Sequence, residues 1–182
     1  PRFAVSCTSA LLGEVAKISA EKNAIVHTHA SENKKELELV RKISGLENIH
    51  YFDQLGLTSN RLVLAHCVWL NSSELNVIRN KKTSITHCPG SNLKLASGIA
   101  PIAKYRSAGI KVGLGADGAP CNNNLSMLRE MRLAALLQKP GEGPSAMRSI
   151  EVLDMATRDG ADILHWSDSI GSLEIGKSAD LI

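Results

Sequence analysis

The chain has 182 residues, of which 43% are hydrophobic and 21% charged, with a formal net charge of +3. That length fits one domain or most of one, with enough apolar content for a core. The basic residues are scattered, the 3% aromatic content leaves few rings to stack bases on, and no apolar stretch approaches a membrane span, so nucleic acid and membrane are excluded as partners and self-association stays open.

The four cysteines, Cys7, Cys67, Cys88 and Cys121, form no CxxC pair and read as reduced thiols of a cytoplasmic protein. Both ends read as cut: Pro1-Arg2-Phe3 runs straight into an apolar segment, and residues 175–182 stop inside what reads as a strand. A piece of a longer protein is expected.

Residues 3–7 predict a strand, and Leu11, Leu12, Val15 and Ile18 predict a helix over 9–21 behind Thr8 as N-cap. A second strand is expected at 24–29. Asn33 with Glu36 three residues on opens a helix carrying Leu37, Val40 and Ile43. Residues 62–66 predict a third strand, and Asn71 with Glu74 starts the next helix. Strands at 83–87 and 111–115 follow, then helices over about 125–138 and 149–164. Five strand–helix units in a row imply α/β architecture with a parallel sheet. A doubly wound sheet fits the length, whereas a (β/α)₈ barrel needs roughly 250 residues and would be present only in part. No GxGxxG or GxxxxGK[ST] follows any strand, which removes the commonest reason for a nucleotide-binding doubly wound sheet.

Polar placement favours the barrel. The second strand ends in His27-Thr28-His29 with Glu32 beyond it, the third in His66-Cys67, the fourth in His87-Cys88-Pro89, and the fifth in Ala116-Asp117-Gly118. In a parallel barrel all strand C-termini open onto one face, so these residues form a nitrogen–oxygen rim suited to Zn²⁺ or Fe²⁺. A single histidine at a strand end is ordinarily a hydrogen-bonded rim or core residue, and Asp before Gly a turn residue. Four such coincidences at successive strand ends weaken that plain reading. A structural His₂Cys₂ zinc site from His66-Cys67 and His87-Cys88 is the rival, but adjacent strand residues face opposite sides. The cysteines are therefore expected as small buried hydrophobes, and His27, one layer below His29, as packed rather than coordinating.

Taken in order, His27-Thr28-His29-Ala30-Ser31-Glu32, Ala65-His66-Cys67, the stretch from His87 through Ser91-Asn92-Leu93-Lys94-Leu95-Ala96-Ser97-Gly98 to Pro101, and Gly115-Ala116-Asp117-Gly118-Ala119 resemble the amidohydrolase superfamily. Within it they are most similar to the branch of S-adenosylhomocysteine/methylthioadenosine, 5′-deoxyadenosine and guanine deaminases and triazine chlorohydrolases. The stretches 122–135 and 170–182 carry the likeness over essentially the whole chain. The resemblance implies a (β/α)₈ TIM barrel of which this chain covers about the last five βα units, with residues 1–168 in the barrel and 169–182 beginning the return into a small β-sandwich. It implies one divalent metal, zinc first and iron or manganese as alternatives, with His29 and Asp117 as ligands. It further implies Glu32 as proton shuttle, His66 as the residue orienting water and intermediate, Asp117 also as proton acceptor, and Arg2 and Asn92 on the substrate side. The implied reaction is removal of an exocyclic amine from a purine or related N-heterocycle by attack of a metal-bound hydroxide, with water as co-substrate. The chain departs from the family pattern in one respect: no first-strand His-x-His precedes Pro1, so it holds half of that metal shell. Chloride release from a triazine on the same site, an inactive fragment, and a metal-free phosphate-binding barrel are the competing readings. The last lacks a glycine-rich phosphate loop.

Overall fold

The computed structural model describes residues 1–180. Strands β1 (Val26–Ala30), β2 (Leu62–His66), β3 (Ser84–His87) and β4 (Val112–Leu114) form one sheet in the order β1-β2-β3-β4, each neighbouring pair parallel. Helices α1 (Ser9–Lys22), α2 (Lys34–Ser44), α3 (Asn48–Gln54), α4 (Ser72–Lys81), α5 (Pro89–Lys94) and α6 (Ile102–Ser107) precede or connect them. After β4 come α7 (Ala119–Asn122), α8 (Met127–Leu137), α9 (Lys139–Glu142), α10 (Ser149–Ala156) and α11 (Arg158–Ile163). Strands that follow sequence order without reversal are the winding of a barrel wall; a doubly wound sheet needs a reversal, which the described strands lack. No described helix is long and apolar enough to cross a membrane.

Local sequence accounts for the elements. Thr8 accepts from the Leu11 amide, Asn33 from that of Glu36, and Asn71 from those of Ser73 and Glu74, so three helices start where an N-cap side chain meets an orphan amide. Leu12, Val40, Ile49, Phe52 and Ile78 from the helices share one core with Val26, Ala30, Leu62, Leu64 and Ile85 from the sheet.

Two expected elements differ. The strand at 3–7 is reduced to a parallel bridge from Phe3 to His29, and Ala4–Ser6 turn as a 3₁₀ helix. The cause is local: the Ser6 amide and hydroxyl both donate back to the Phe3 carbonyl, so the chain curls instead of extending. The helix expected over 149–164 breaks at Thr157, whose φ of −128° and ψ of −91° separate α10 from α11. The break seats Ile163 on Gly113, where a Cβ would stand 2.5 Å from the Ile163 Cδ1. Residues 169–180 carry neither helix nor strand, and the remainder of the strand expected at 175–182 falls on residues outside the described ones.

Three buried carboxylates tie helix starts to neighbouring loops. Glu36, in the first turn of α2, accepts the Ser31 amide and the Asn48 Nδ2 on one oxygen and the Glu32 amide on the other. Glu74 on α4 takes the amides of Ile49 and Asn71, and Glu130 on α8 takes the Gly90 amide and the Asn122 Nδ2. A buried donor left without its partner costs about 1–3 kcal/mol. Glu36→Ala, which strands three donors at once, is expected to destabilise the protein by roughly 3 kcal/mol or more. A lower urea midpoint at unchanged m-value is the expected readout.

Candidate active site

His29 sits one residue before the end of β1, and two of its groups, the amide (2.9 Å) and Nδ1 (2.7 Å), point at the Arg2 carbonyl. A carbonyl only accepts, so Nδ1 donates, and of the two neutral tautomers this selects the one with its lone pair on Nε2. The ring stacks on His66 with centroids 5.1 Å apart and planes inclined by 26°.

His66 closes β2 and is buried. Alternation along β2 would put it on the side of Leu62 and Leu64, but its backbone is left-handed, with φ of 74°, as is that of Cys67, with φ of 47°. Two bonds hold that unfavourable turn: the Cys67 amide donates to the Ala30 carbonyl, and the Tyr105 hydroxyl donates to the Cys67 carbonyl at 3.0 Å. The turn brings the imidazole against His29. Its Nδ1 donates to Asn92 Oδ1 at 2.7 Å, and its buried Nε2, unpartnered among the described residues, lies 3.9 Å from Glu32 Oε2. Glu32 is oriented by the Ser97 hydroxyl, which donates to Oε1 at 2.9 Å.

Asp117 follows β4 in left-handed conformation, with φ of 59°. Its Oδ2 accepts from the Ser91 hydroxyl at 2.6 Å and its Oδ1 from the Gly118 amide at 2.7 Å. Burial opposes ionisation of this carboxyl, but these two bonds and the nearby His66 and His29 outweigh it and lower its pKa.

The strand C-termini thus bring His29, Glu32, His66 and Asp117 to one end of the sheet. The Arg2 side chain is exposed, and its contact with the site is made by the main-chain carbonyl. Asn92 is 1% exposed, with its Oδ1 accepting from His66 Nδ1. His27 is exposed among the described residues, on the face of β1 opposite the buried Val26, Thr28 and Ala30. Partial loss of solvent and the neighbouring imidazoles of His29 and His66 lower its pKa. Cys67 and Cys88 are buried, and burial pushes the Cys88 thiol up to about 12. No group of three or more His, Cys, Asp or Glu able to hold a metal occurs among the described residues, so the His₂Cys₂ alternative does not form. Sequence reasoning missed Ser91 and Ser97; the signal for them was the run of small polar residues directly after a strand end.

The donor set suits a divalent ion in part. An imidazole with a free Nε2 and a carboxylate favoured in its charged form are borderline-hard nitrogen and oxygen ligands. Two clefts of about 850 and 780 Å³ lie elsewhere, one lined by Lys104, Arg106 and Glu142, the other by Ser84, Lys111 and His165.

The whole chain, residues 1–182, matches the amidohydrolase family. The chain belongs to that family. It is 40% identical, over its full length, to the 5-methylthioadenosine/S-adenosylhomocysteine deaminase of Desulforudis audaxviator, and spans 43% of that protein. It is similar in structure to a zinc-bound adenosine deaminase from Xanthomonas campestris, with a TM-score of 0.92 and 34% identity over 95% of this chain and 40% of that one. A guanine deaminase from C. acetobutylicum with guanine in its active site aligns at a TM-score of 0.89 and 30% identity, covering 97% of this chain and 43% of the other. The chain therefore spans less than half the length of the relatives it matches, and its strands are part of the amidohydrolase barrel.

His87, at the end of β3, is buried with neither ring nitrogen bonded among the described residues, and burial, with the nearby His66, lowers its pKa to about 3. In the unfolded chain the same imidazole titrates near its ordinary value of 6.5. Between those values the unfolded state binds the extra proton. Stability therefore falls as pH drops below 6.5, by up to about 1.4 kcal/mol per pH unit from this residue, and is fully retained above it. His87→Leu is expected to flatten that dependence, read from urea unfolding at about pH 7 and about pH 5.

Proposed function

We propose that the intact protein is a metal-dependent aminohydrolase that removes an exocyclic amine from a purine of the adenosine or guanine type and releases ammonia. The observation that carries the reading is the pair of stacked imidazoles whose Nδ1 protons are both tied to oxygen acceptors. Each ring is thereby left with an Nε2 free for chemistry, beside a carboxylate at 3.9 Å. In this reading residues 1–168 belong to the barrel, residues 169–182 lead toward a β-sandwich, and the group bound is zinc.

His29, through Nε2, and Asp117 would hold the ion, with the remaining ligands outside these residues. An ion held there would lower the pKa of water from 15.7 to about 7 and so make hydroxide accessible at neutral pH. The chain's own groups do the rest. His66 Nε2 faces the attacking oxygen and stabilises charge where it develops. Glu32 would take one proton of the water and deliver it to the ring nitrogen as the ring carbon bearing the amine becomes tetrahedral, and Asp117 would take the other and pass it to the amine, which leaves as ammonia. The known names of the relatives, which include adenosine-type and guanine deaminases, support the substrate class.

Glu32→Gln in the intact protein is expected to keep its zinc and lose about 10²–10⁴ in turnover, because the amide cannot carry the proton. Ammonia release from adenosine-type substrates and guanine, beside metal content, measures this. Residues 1–182 expressed alone are expected to bind zinc poorly and release no ammonia, since catalytic zinc uses about three protein ligands and only two are assigned here. Stoichiometric zinc with ammonia release from that sample counts against the ligand assignment.

A further inference from the structure

Three side chains of one seven-residue stretch each make one hydrogen bond to a different site residue. Ser91 donates to Asp117 Oδ2 at 2.6 Å, Asn92 accepts from His66 Nδ1 at 2.7 Å, and Ser97 donates to Glu32 Oε1 at 2.9 Å. The three targets lie after β4, at the end of β2 and after β1, so no single strand could set their mutual positions. We propose that Ser91, Asn92 and Ser97 form a positioning clamp that holds the proton-handling groups of the site in fixed relative orientation without touching the substrate.

The burial of the three residues supports this. Ser91 is 0%, Asn92 1% and Ser97 5% exposed. The Asn92 Nδ2 is buried and has no partner among the described residues. A buried amide that pairs its oxygen with His66 while its Nδ2 has no partner among the described residues is a poor choice for packing alone. The stretch is also held rigidly from outside. The Gly90 amide donates to Glu130 at 2.8 Å, Lys94 Nζ reaches the Pro120 carbonyl and Asn123 Oδ1 at 2.5 Å each, and the Trp69 indole donates to the Ser97 carbonyl at 2.8 Å. Gly98, with φ of +128°, permits that last contact, because a Cβ there would stand 2.9 Å from Val68 Cγ1 and 3.1 Å from the Trp69 ring.

Each bond also fixes a proton. Asn92 Oδ1 keeps hydrogen on His66 Nδ1 and so leaves Nε2 as the acceptor, while the Ser97 hydroxyl occupies Oε1 of Glu32 and leaves Oε2 for proton transfer. The clamp rests on the roles proposed above for Glu32 and His66.

The test is a double-mutant cycle in the intact zinc-loaded protein, with adenosine-type substrate and guanine, joined to a measurement that needs no turnover. Ser97→Ala is expected to lower kcat about tenfold, the worth of a charge-assisted hydrogen bond, with KM within about twofold and with zinc content and Tm unchanged. In the Glu32→Gln background the same substitution is expected to cost less than about twofold, because the group it positions no longer moves a proton. Equal losses in both backgrounds, a loss of kcat that tracks Tm or zinc, or no loss at all overturns the clamp. Separately, ¹H–¹⁵N correlation in the metal-free protein is expected to place the His66 proton on Nδ1, to keep it there in Asn92→Asp, and to show its redistribution in Asn92→Leu. An unchanged tautomer in Asn92→Leu also overturns the proposal. If Glu32→Gln alone leaves turnover intact, the functional reading fails, and the tautomer measurement still decides the clamp.

Discussion

The main-chain amides where a strand of this sheet gives way to its helix have no strand neighbour to bond and little water to reach. A buried amide in that position needs an acceptor, and the first turn of a nearby helix, positive by its dipole, is where a buried carboxylate can serve as one. Glu36, Glu74 and Glu130 meet this need, taking the amides of Ser31, Glu32 and Asn71 in loops and that of Gly90 at the start of α5. The left-handed turn of Ser31, with φ of 52°, lies directly under Glu36. The positions of Glu32 and of the α5 segment descend from these interactions, and the hydrogen bonds of the site are built on top of them.

Within the site the same logic runs at the level of single protons. Carbonyl and amide oxygens hold hydrogens on His29 Nδ1 and His66 Nδ1, hydroxyls and an amide donate to Glu32 and Asp117, and the remaining lone pairs are presented together. Such preorganisation removes the reorganisation that water would otherwise have to undergo as charge develops.

Much of this was legible in the sequence, and the illegible parts share a cause. β2 runs over the expected residues 62–66 because five successive residues are buried on both sides and end in a polar tip. N-caps at Thr8, Asn33 and Asn71 announced their helices, since capping is a local event. The curl at Ala4–Ser6 and the break at Thr157 are set by bonds to main-chain carbonyls and by backbone angles, which leave no periodic trace. The left-handed His66 escaped for a similar reason: strand alternation describes a side chain's face only while the backbone stays extended. Asn92 was visible as a polar residue near the site, but its burial against an imidazole was not.

The anchoring of His29 by the carbonyl of Arg2 separates two jobs that often fall on one residue. Every amino acid supplies the same carbonyl, so the tautomer of His29 is indifferent to which side chain stands at position 2. The side chain at position 2 takes no part in fixing the ring's proton. A substitution at position 2 therefore leaves the acceptor that orients the ring in place.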